Sequence, residues 1–424
     1  MLICLLKVLL CSFLLTTTVN TAPVPSDQCS TIVVRKEIRQ LSEGERIAFI
    51  DAITKLKESG EYEKFAPIHN DYAPFAHVTP GFFPWHRYYT RLFEVALQNI
   101  NPSVVLPYWD WTIDSQAPEE SEIFKWFGGN GRGPLQCVTD GPAANWRSNI
   151  PNDHCLRREF NGGDKILAIY SSESVNNMIE TIDAYDKFQD TIESGPHAAL
   201  HRGVGGDLGV LVSPNDPLFF LHHSFIDYIW YQWQKKHPQS ARAYTGTNRV
   251  GGKPSQACDM LPPFNIPVDL QFDTTSKGYC YVYSPTPSFN STKFKSPKID
   301  LLGLNALNIS IGNPPEYFKT FGGPNPDDRQ NGQKIRIPYS IPSEYIQMHH
   351  GSEEKVREHE IANAKFIQNL NQLDSYTSPS SLDKKSETIR QLIEMGKDIP
   401  TAFDNPNLPR PDSALPISSQ SRCS

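Results

Sequence analysis

The 424-residue sequence has no block of lysine and arginine. Its 40 basic and 47 acidic side chains leave a net charge of −7, which argues against a nucleic-acid partner. It has no CxxC pair, so a metal site built from cysteines is not expected. Past its first residues it has no apolar run long enough to cross a bilayer, and it has no internal repeats.

The composition that remains, 38% hydrophobic and 21% charged, suits a globular chain with a substantial core. Its 35 prolines point to much irregular backbone. The opening MLICLLKVLLCSFLLTTTVNTA carries one lysine, a short apolar run and then small polar residues. It reads as a signal peptide over 1–22, and the run is too short for a spanning anchor. Secretion is therefore expected. Cys4 and Cys11 would leave with the leader. The other six are Cys29, Cys137, Cys155, Cys258, Cys280 and Cys423, an even set that suits disulfides and allows fifteen pairings. Proximity in sequence suggests Cys137 with Cys155 and Cys258 with Cys280. Asn290-Ser-Thr and Asn308-Ile-Ser are glycosylation sequons, credible behind a signal peptide.

Four helices are expected in the first two thirds. Ser42 to Ser59 opens with a capping box of Ser42 and Glu45 and carries Ile47, Ile50, Ile53 and Leu56 as an apolar stripe. Arg87 to Asn99 and Asn176 to Phe188 have similar patterning. Leu218 to Lys236 follows Asp216-Pro217, where Asp216 can cap. Pro196 suits the first turn of a short helix through His201. Asp110 to Asp164 is long and irregular. The fold class expected is mainly α, a helix bundle with disulfide-braced loops. Tyr279, Tyr281 and Tyr283 alternate as a short strand, which suggests a domain boundary near residue 285. Beyond it lie a β-like run at 334–338, helices at 352–370 and 381–395, and a Pro/Ser-rich tail over 400–424 expected to be disordered.

The histidines are unevenly placed: His69, His77 and His86 early, then His197, His201, His222 and His223. His197 and His201 lie four apart, so on a helix they share one face. That is a ligand spacing, though two helix histidines without a metal are commoner. A third imidazole from His223 makes a second set of three. Six imidazoles with no Asp or Glu cluster beside them exclude the carboxylate-rich di-iron pattern and the oxygen ligands of magnesium and calcium. They suit copper or zinc, and two three-histidine sites suit a pair of copper ions that bind dioxygen.

HVTPGFFPWHR (77–87) and SPNDPLFFLHHSFIDYIW (213–230) resemble the two copper motifs of the tyrosinase family, the type-3 copper proteins. The resemblance covers about residues 60–285 and implies two copper ions, Cu A on His69, His77 and His86 and Cu B on His197, His201 and His223. His222 is then a packed neighbour. His154, His237, His349, His350 and His359 are expected to be solvated or structural. Where several family branches have a cysteine that forms a thioether, this chain has Phe75, so no such crosslink is expected. The resemblance also implies a buried Arg87–Asp227 ion pair. Either Phe219 or Phe220 is expected near the site, and Leu211 or Val212 near its mouth.

In the family, a Glu before the first Cu B histidine holds a water, and an Asn after that histidine helps to activate it. Here these positions are Glu193 and Ala198. A phenol with a pKa near 10 must lose its proton before hydroxylation, so the missing Asn makes Ala198 an activity-tuning position that favours o-diphenol oxidation. The resemblance thus implies a secreted dicopper phenol oxidase making o-quinones from o-diphenols, or also from monophenols. Its partners would be dioxygen and small phenols or protein tyrosines, and its products would serve melanin formation or protein crosslinking. A haemocyanin-like oxygen carrier and an inactive matrix protein are the alternatives. The C-terminal extension, 286–399, is either a lid over the site or a flexible glycosylated tail.

Overall fold

The computed structural model describes Cys29 and residues 31–289, 334–373 and 376–400. The leader 1–22, Asn290, Asn308, Cys423 and residues 401–424 of the tail lie outside the described residues. Twelve α-helices run along the described chain: α1 (Glu43–Glu58), α2 (Phe65–Asp71), α3 (Ala73–Ala76), α4 (Phe82–Ile100), α5 (Ile123–Phe127), α6 (Ser172–Thr181), α7 (Tyr185–Ile192), α8 (Ala198–Val204), α9 (Leu218–Lys236), α10 (Ser343–Met348), α11 (Glu353–Asn371) and α12 (Leu382–Gly396). Strands are minor. β1 (Val33–Arg35) pairs in parallel with β6 (Tyr281–Tyr283), and β2 (Arg147–Ser148) with β3 and β4 (Met260–Leu261) with β5 form two-residue antiparallel pairs, β3 being His154–Cys155 and β5 Ile266–Pro267. The mainly α class expected from sequence is the one observed. None of the described helices is long and apolar enough to cross a membrane.

Ser42 caps α1 as its sequence dictates: its hydroxyl accepts from the Glu45 N–H, and the Glu45 carboxylate accepts from the Ser42 N–H at 2.8 Å. The buried face of α1 differs from the expected stripe. Phe49, Ala52, Ile53 and Leu56 are buried, whereas Ile47 is 58% exposed. Positions spaced strictly by three drift by about 60° per step around a helix, so a run of four cannot all face one core.

The core forms where α4 packs on α9. Phe93 and Phe220 stack between them with ring centroids 3.5 Å apart. α4 begins at Phe82, five residues earlier than its sequence pattern suggested. The expected helix over 176–188 is instead two, α6 and α7, because the chain extends at Ile182. The carbonyls freed there are satisfied from α9 and its end: Trp233 Nε1 donates to Ile182 O at 2.6 Å, and His237 Nε2 meets Ile179 O at 2.7 Å. Pro196 does not begin a helix either. It sits inside a π-helical turn, Glu193–His197, that joins α7 to α8 without a break. The wide turn tolerates a residue with no N–H to give.

Cys137 pairs with Cys155. Cys280 pairs with Cys29, not with Cys258, which is in a disulfide itself. The β1–β6 register, Val33 opposite Tyr281, brings the two distant cysteines together. Nearness in sequence gave the first pair and missed the second. Residues 334–338 form no strand; they run extended, with the Arg336 N–H on Gln116 Oε1 at 2.7 Å. α10 to α12 pack back onto the bundle. Tyr339 donates to Ala199 O at 2.7 Å, and the buried Glu173 carboxylate accepts from Tyr376 at 3.0 Å and from Ser380 at 3.1 Å.

Candidate metal centre

Six elements bring the histidines to one place. His69 lies on α2, His77 ends α3, and His86 lies in the first turns of α4. His197 closes the π turn, His201 lies on α8, and His222 and His223 lie near the start of α9. All seven are buried. The ligand-capable atoms of His69, His77 and His86 lie within 4.8 Å of one another, as do those of His197, His201, His222 and His223. The two sets adjoin: the His86 and His223 rings stack at 4.1 Å, and His77 is 5.8 Å from His197.

Hydrogen bonding fixes which nitrogen faces inward. Nδ1 of His69 meets Leu211 O at 2.7 Å, that of His86 Phe82 O at 2.8 Å, that of His197 Glu193 O at 2.9 Å and that of His201 Leu208 O at 2.6 Å. A carbonyl only accepts, so each of these Nδ1 atoms carries the proton and leaves a lone pair on Nε2. His77 Nδ1 meets a carboxylate oxygen, Glu193 Oε1, at 3.1 Å. The Nε2 atoms then face one another: His69 to His77 at 3.0 Å, His69 to His86 at 3.4 Å, and His201 to His223 at 3.3 Å. Two lone pairs at such a distance repel unless a cation lies between them. The His197 Nε2 is buried with no protein partner. The residues therefore fit a pair of metal ions, and a donor set of imidazoles alone suits copper.

The electrostatics agree. Burial holds every one of these imidazoles below the ordinary histidine range, His69 at about 3 and His201 at about 4, and their mutual repulsion adds to it for the others. The neutral form that binds metal is the resting form.

Glu193 ties the two halves together. Its Oε1 accepts from His77 Nδ1 and from the Val78 N–H at 2.8 Å, and Gln189 donates to Oε2. Burial raises its carboxyl well above the usual range, with the charge of Arg249 working against that rise. Val78 is β-branched yet sits at φ +53°, in the left-handed region. The Glu193 hydrogen bond holds this strained residue, and with it the direction of the His77 ring. Gly81 lets the chain turn here into α4: a Cβ on it would lie 2.6 Å from Phe75 O.

Arg87 and Asp227 are paired in the core behind the site, Nε to Oδ1 at 2.5 Å. Tyr281 and Tyr283 donate to Asp227 Oδ2 at 2.5 and 2.6 Å. Asp216 Oδ1 accepts from the Leu218 N–H at 2.9 Å at the start of α9. Of the two phenylalanines left open by the sequence, Phe219 faces the histidines, 4.2 Å from the His223 ring and 5.0 Å from His69, while Phe220 packs away on Phe93. Phe82 also faces them, 4.9 Å from His197. Leu211 lines a cavity beside His77, and Val212 is buried. Phe75 is not a thiol, and no cysteine joins either histidine set among the described residues.

Of the two expectations for His349, solvated or structural, the second fits. It is half-buried over the site, its ring 5.0 Å from His77 and edge-on to it. It reaches there from the end of α10, and no motif marks it in sequence. Tyr345 and His349 close a cavity of about 40 Å³ whose other walls include Glu193, His197 and Ala198. His154 bonds Asp207 at 2.9 Å, and His359 meets Ser194 Oγ at 3.0 Å.

The family model for the common central domain of tyrosinase matches residues 59–236. A tyrosinase of Streptomyces glaucescens is 37% identical over 268 residues, covering 56% of this chain and 96% of that protein. A tyrosinase-like protein of Diaporthe leptostromiformis is 36% identical over 318 residues, covering 63% and 80%. A solved polyphenol oxidase from Thermothelomyces thermophila has the same fold, with a TM-score of 0.51 at 23% identity, covering 59% of this chain and 88% of its own.

Proposed function

The chain belongs to the tyrosinase family of type-3 copper proteins, and we propose that it is a secreted phenol oxidase that turns o-diphenols into o-quinones with dioxygen. The observation that carries this is the inward set of imidazole Nε2 atoms, with the lone pairs of His69, His77 and His86 facing one another at 3.0 to 3.4 Å. In this reading His69, His77 and His86 hold one copper ion, and His197, His201 and His223 hold the second. Bound copper supplies dioxygen binding and the two-electron oxidation of a catechol. The chain supplies the rest. Backbone carbonyls and Glu193 keep the ligand nitrogens unprotonated and aimed. Phe82 and Phe219 exclude water around the rings.

Ala198 offers no hydrogen bond beside Glu193, which supports a preference for o-diphenols over monophenols. The secretory leader and the disulfides support an oxidising, extracellular setting. There the quinones would feed melanin or crosslink proteins. Tyr345 and His349 over the histidines support a latent state in which α10 shuts the site.

The same covering supports a second reading, an oxygen carrier closed to phenols. Oxygen uptake by the copper-loaded protein, with L-tyrosine and L-DOPA run side by side before and after limited proteolysis, separates the two. Uptake with L-DOPA that rises on cleavage is expected. Uptake with neither substrate after cleavage, alongside reversible oxygen binding, would favour the carrier.

A further inference from the structure

His349 presents to the site the skeleton of an aromatic amino acid: a ring, a methylene, an α-carbon and a carbonyl. Its ring lies edge-on over His77 at 5.0 Å. Its carbonyl oxygen accepts from Arg249 Nη1 at 3.5 Å. That hydrogen bond is long, Arg249 forms no close ion pair among the described residues, and its charge acts on the buried Glu193 carboxyl. Arg249 is half-buried and lines a cavity of about 180 Å³ together with His77, Leu211, Asn70, Asp71 and His349 itself. His349 also lines the cavity on the far side, with Glu193 and Ala198. When α10 lifts away, the two cavities become one cleft, with His77 and His197 at its floor and the Arg249 guanidinium at one edge.

We propose that Arg249 is the specificity-determining residue of this site and holds the carboxylate of a phenolic α-amino acid whose ring takes the place of the His349 imidazole. The proposal rests on the phenol-oxidase reading above. A half-buried guanidinium whose one hydrogen bond is a long one to a neutral carbonyl gains from a carboxylate, because a charge-assisted, two-pronged hydrogen bond is the stronger. A phenol ring with its hydroxyl reaches deeper than an imidazole from the same α-carbon, toward the facing Nε2 atoms. Asp71 shares the cavity and accepts from Asn70 Nδ2 at 3.1 Å, so it offers the substrate ammonium a partner.

The test uses the full-length copper-loaded protein carrying Tyr345→Gly and His349→Gly, which clears the side chains that lie over the site. L-DOPA is compared with dopamine, which keeps the ammonium and loses the carboxylate. Adding Arg249→Gln should lower the L-DOPA-to-dopamine ratio of kcat/KM about tenfold, and Arg249→Lys should restore part of it. DOPA amide, neutral at the same position, should behave as dopamine does. L-Phenylalanine, which has the carboxylate and nothing to oxidise, should bind in calorimetry and lose about tenfold in affinity with Arg249→Gln. A ratio unchanged within about twofold, or an amide that matches L-DOPA, would overturn the role of Arg249 while leaving the oxidase reading intact. Failure of the opened protein to turn over any catechol would instead overturn that reading, and this assignment with it.

Discussion

Trp111 donates from its indole Nε1 to Nδ1 of His222 at 3.0 Å. An indole N–H can only donate, so Nδ1 of His222 accepts and its proton sits on Nε2. A protonated Nε2 has no lone pair for a metal. His222 lies in the same cluster as His197, His201 and His223, yet its tautomer excludes it from the ligand set. His222→Ala should therefore keep two copper ions per chain by elemental analysis, while His223→Ala should keep one. Loss of copper from both variants would make His222 a ligand.

Glu193 holds His77 from the opposite half of the site. Removing a carboxylate that orients a ligand imidazole typically weakens metal binding 10- to 100-fold. Glu193→Ala is expected to give up one copper ion to a chelator within about that range more readily than the wild type, and Glu193→Gln less so. Equal copper retention in all three would mean that the Val78 turn alone sets the ring.

Arg87→Met would leave Asp227 buried, with two tyrosine hydroxyls and the more distant Arg35 guanidinium at 3.8 Å. A buried charge stripped of its partner destabilises by about 3–5 kcal/mol. Arg87→Met with Asp227→Asn should lose less than Arg87→Met alone, because the stranded charge is gone. Urea unfolding of the three proteins measures the difference, and additive losses would contradict the pairing.

The metal-free protein should weaken as pH falls below about 6.5. Unfolded histidines take up protons near that value, whereas burial keeps His69 and His201 neutral in the fold until about 3 and 4. The unfolded state then holds more protons, so stability drops with falling pH, by about 1.4 kcal/mol per pH unit for each such histidine. The Tm of the metal-free protein should fall from pH 6.5 down to about 3. A flat profile would contradict the burial of neutral imidazoles.

Ala198 is buried against the cavity that Glu193 and Tyr345 line. Ala198→Asn should raise the rate of oxygen uptake on L-tyrosine relative to L-DOPA. An unchanged ratio would mean that the shape of the cleft, not a hydrogen bond at this position, governs monophenols.

What could be read from the sequence was local or bound to a motif. The α1 cap was legible because Ser42 and Glu45 satisfy each other within one turn. The six histidines were legible because two long motifs carry three of them, helical spacing pairs two, and His69 is the one histidine that precedes them in the sequence. The π turn was not, since a proline after a helical stretch reads as a new start until the chain is seen running through it. Phe219 and Phe220 are neighbours pointing about 100° apart, and only the packing of α9 on α4 chooses between them. Ile47 fell on the wrong side of α1 for a similar angular reason. The Cys29–Cys280 pairing and the place of His349 over the site were not legible because what sets them is long-range: a two-strand pairing across the whole domain, and a segment returning from far down the chain.

The Cys29–Cys280 bridge, 251 residues apart in sequence, closes the backbone into a covalent ring. Every histidine that faces the site from α2, α3, α4, α8, α9 and the π turn is threaded on that ring, and His349 is not. A single cut within the ring leaves both pieces attached until the bridge is reduced. His349 is joined to that ring through the backbone beyond Cys280. Covalent topology thus holds the inward imidazoles on one closed loop, which a single backbone cut opens without shedding any of them.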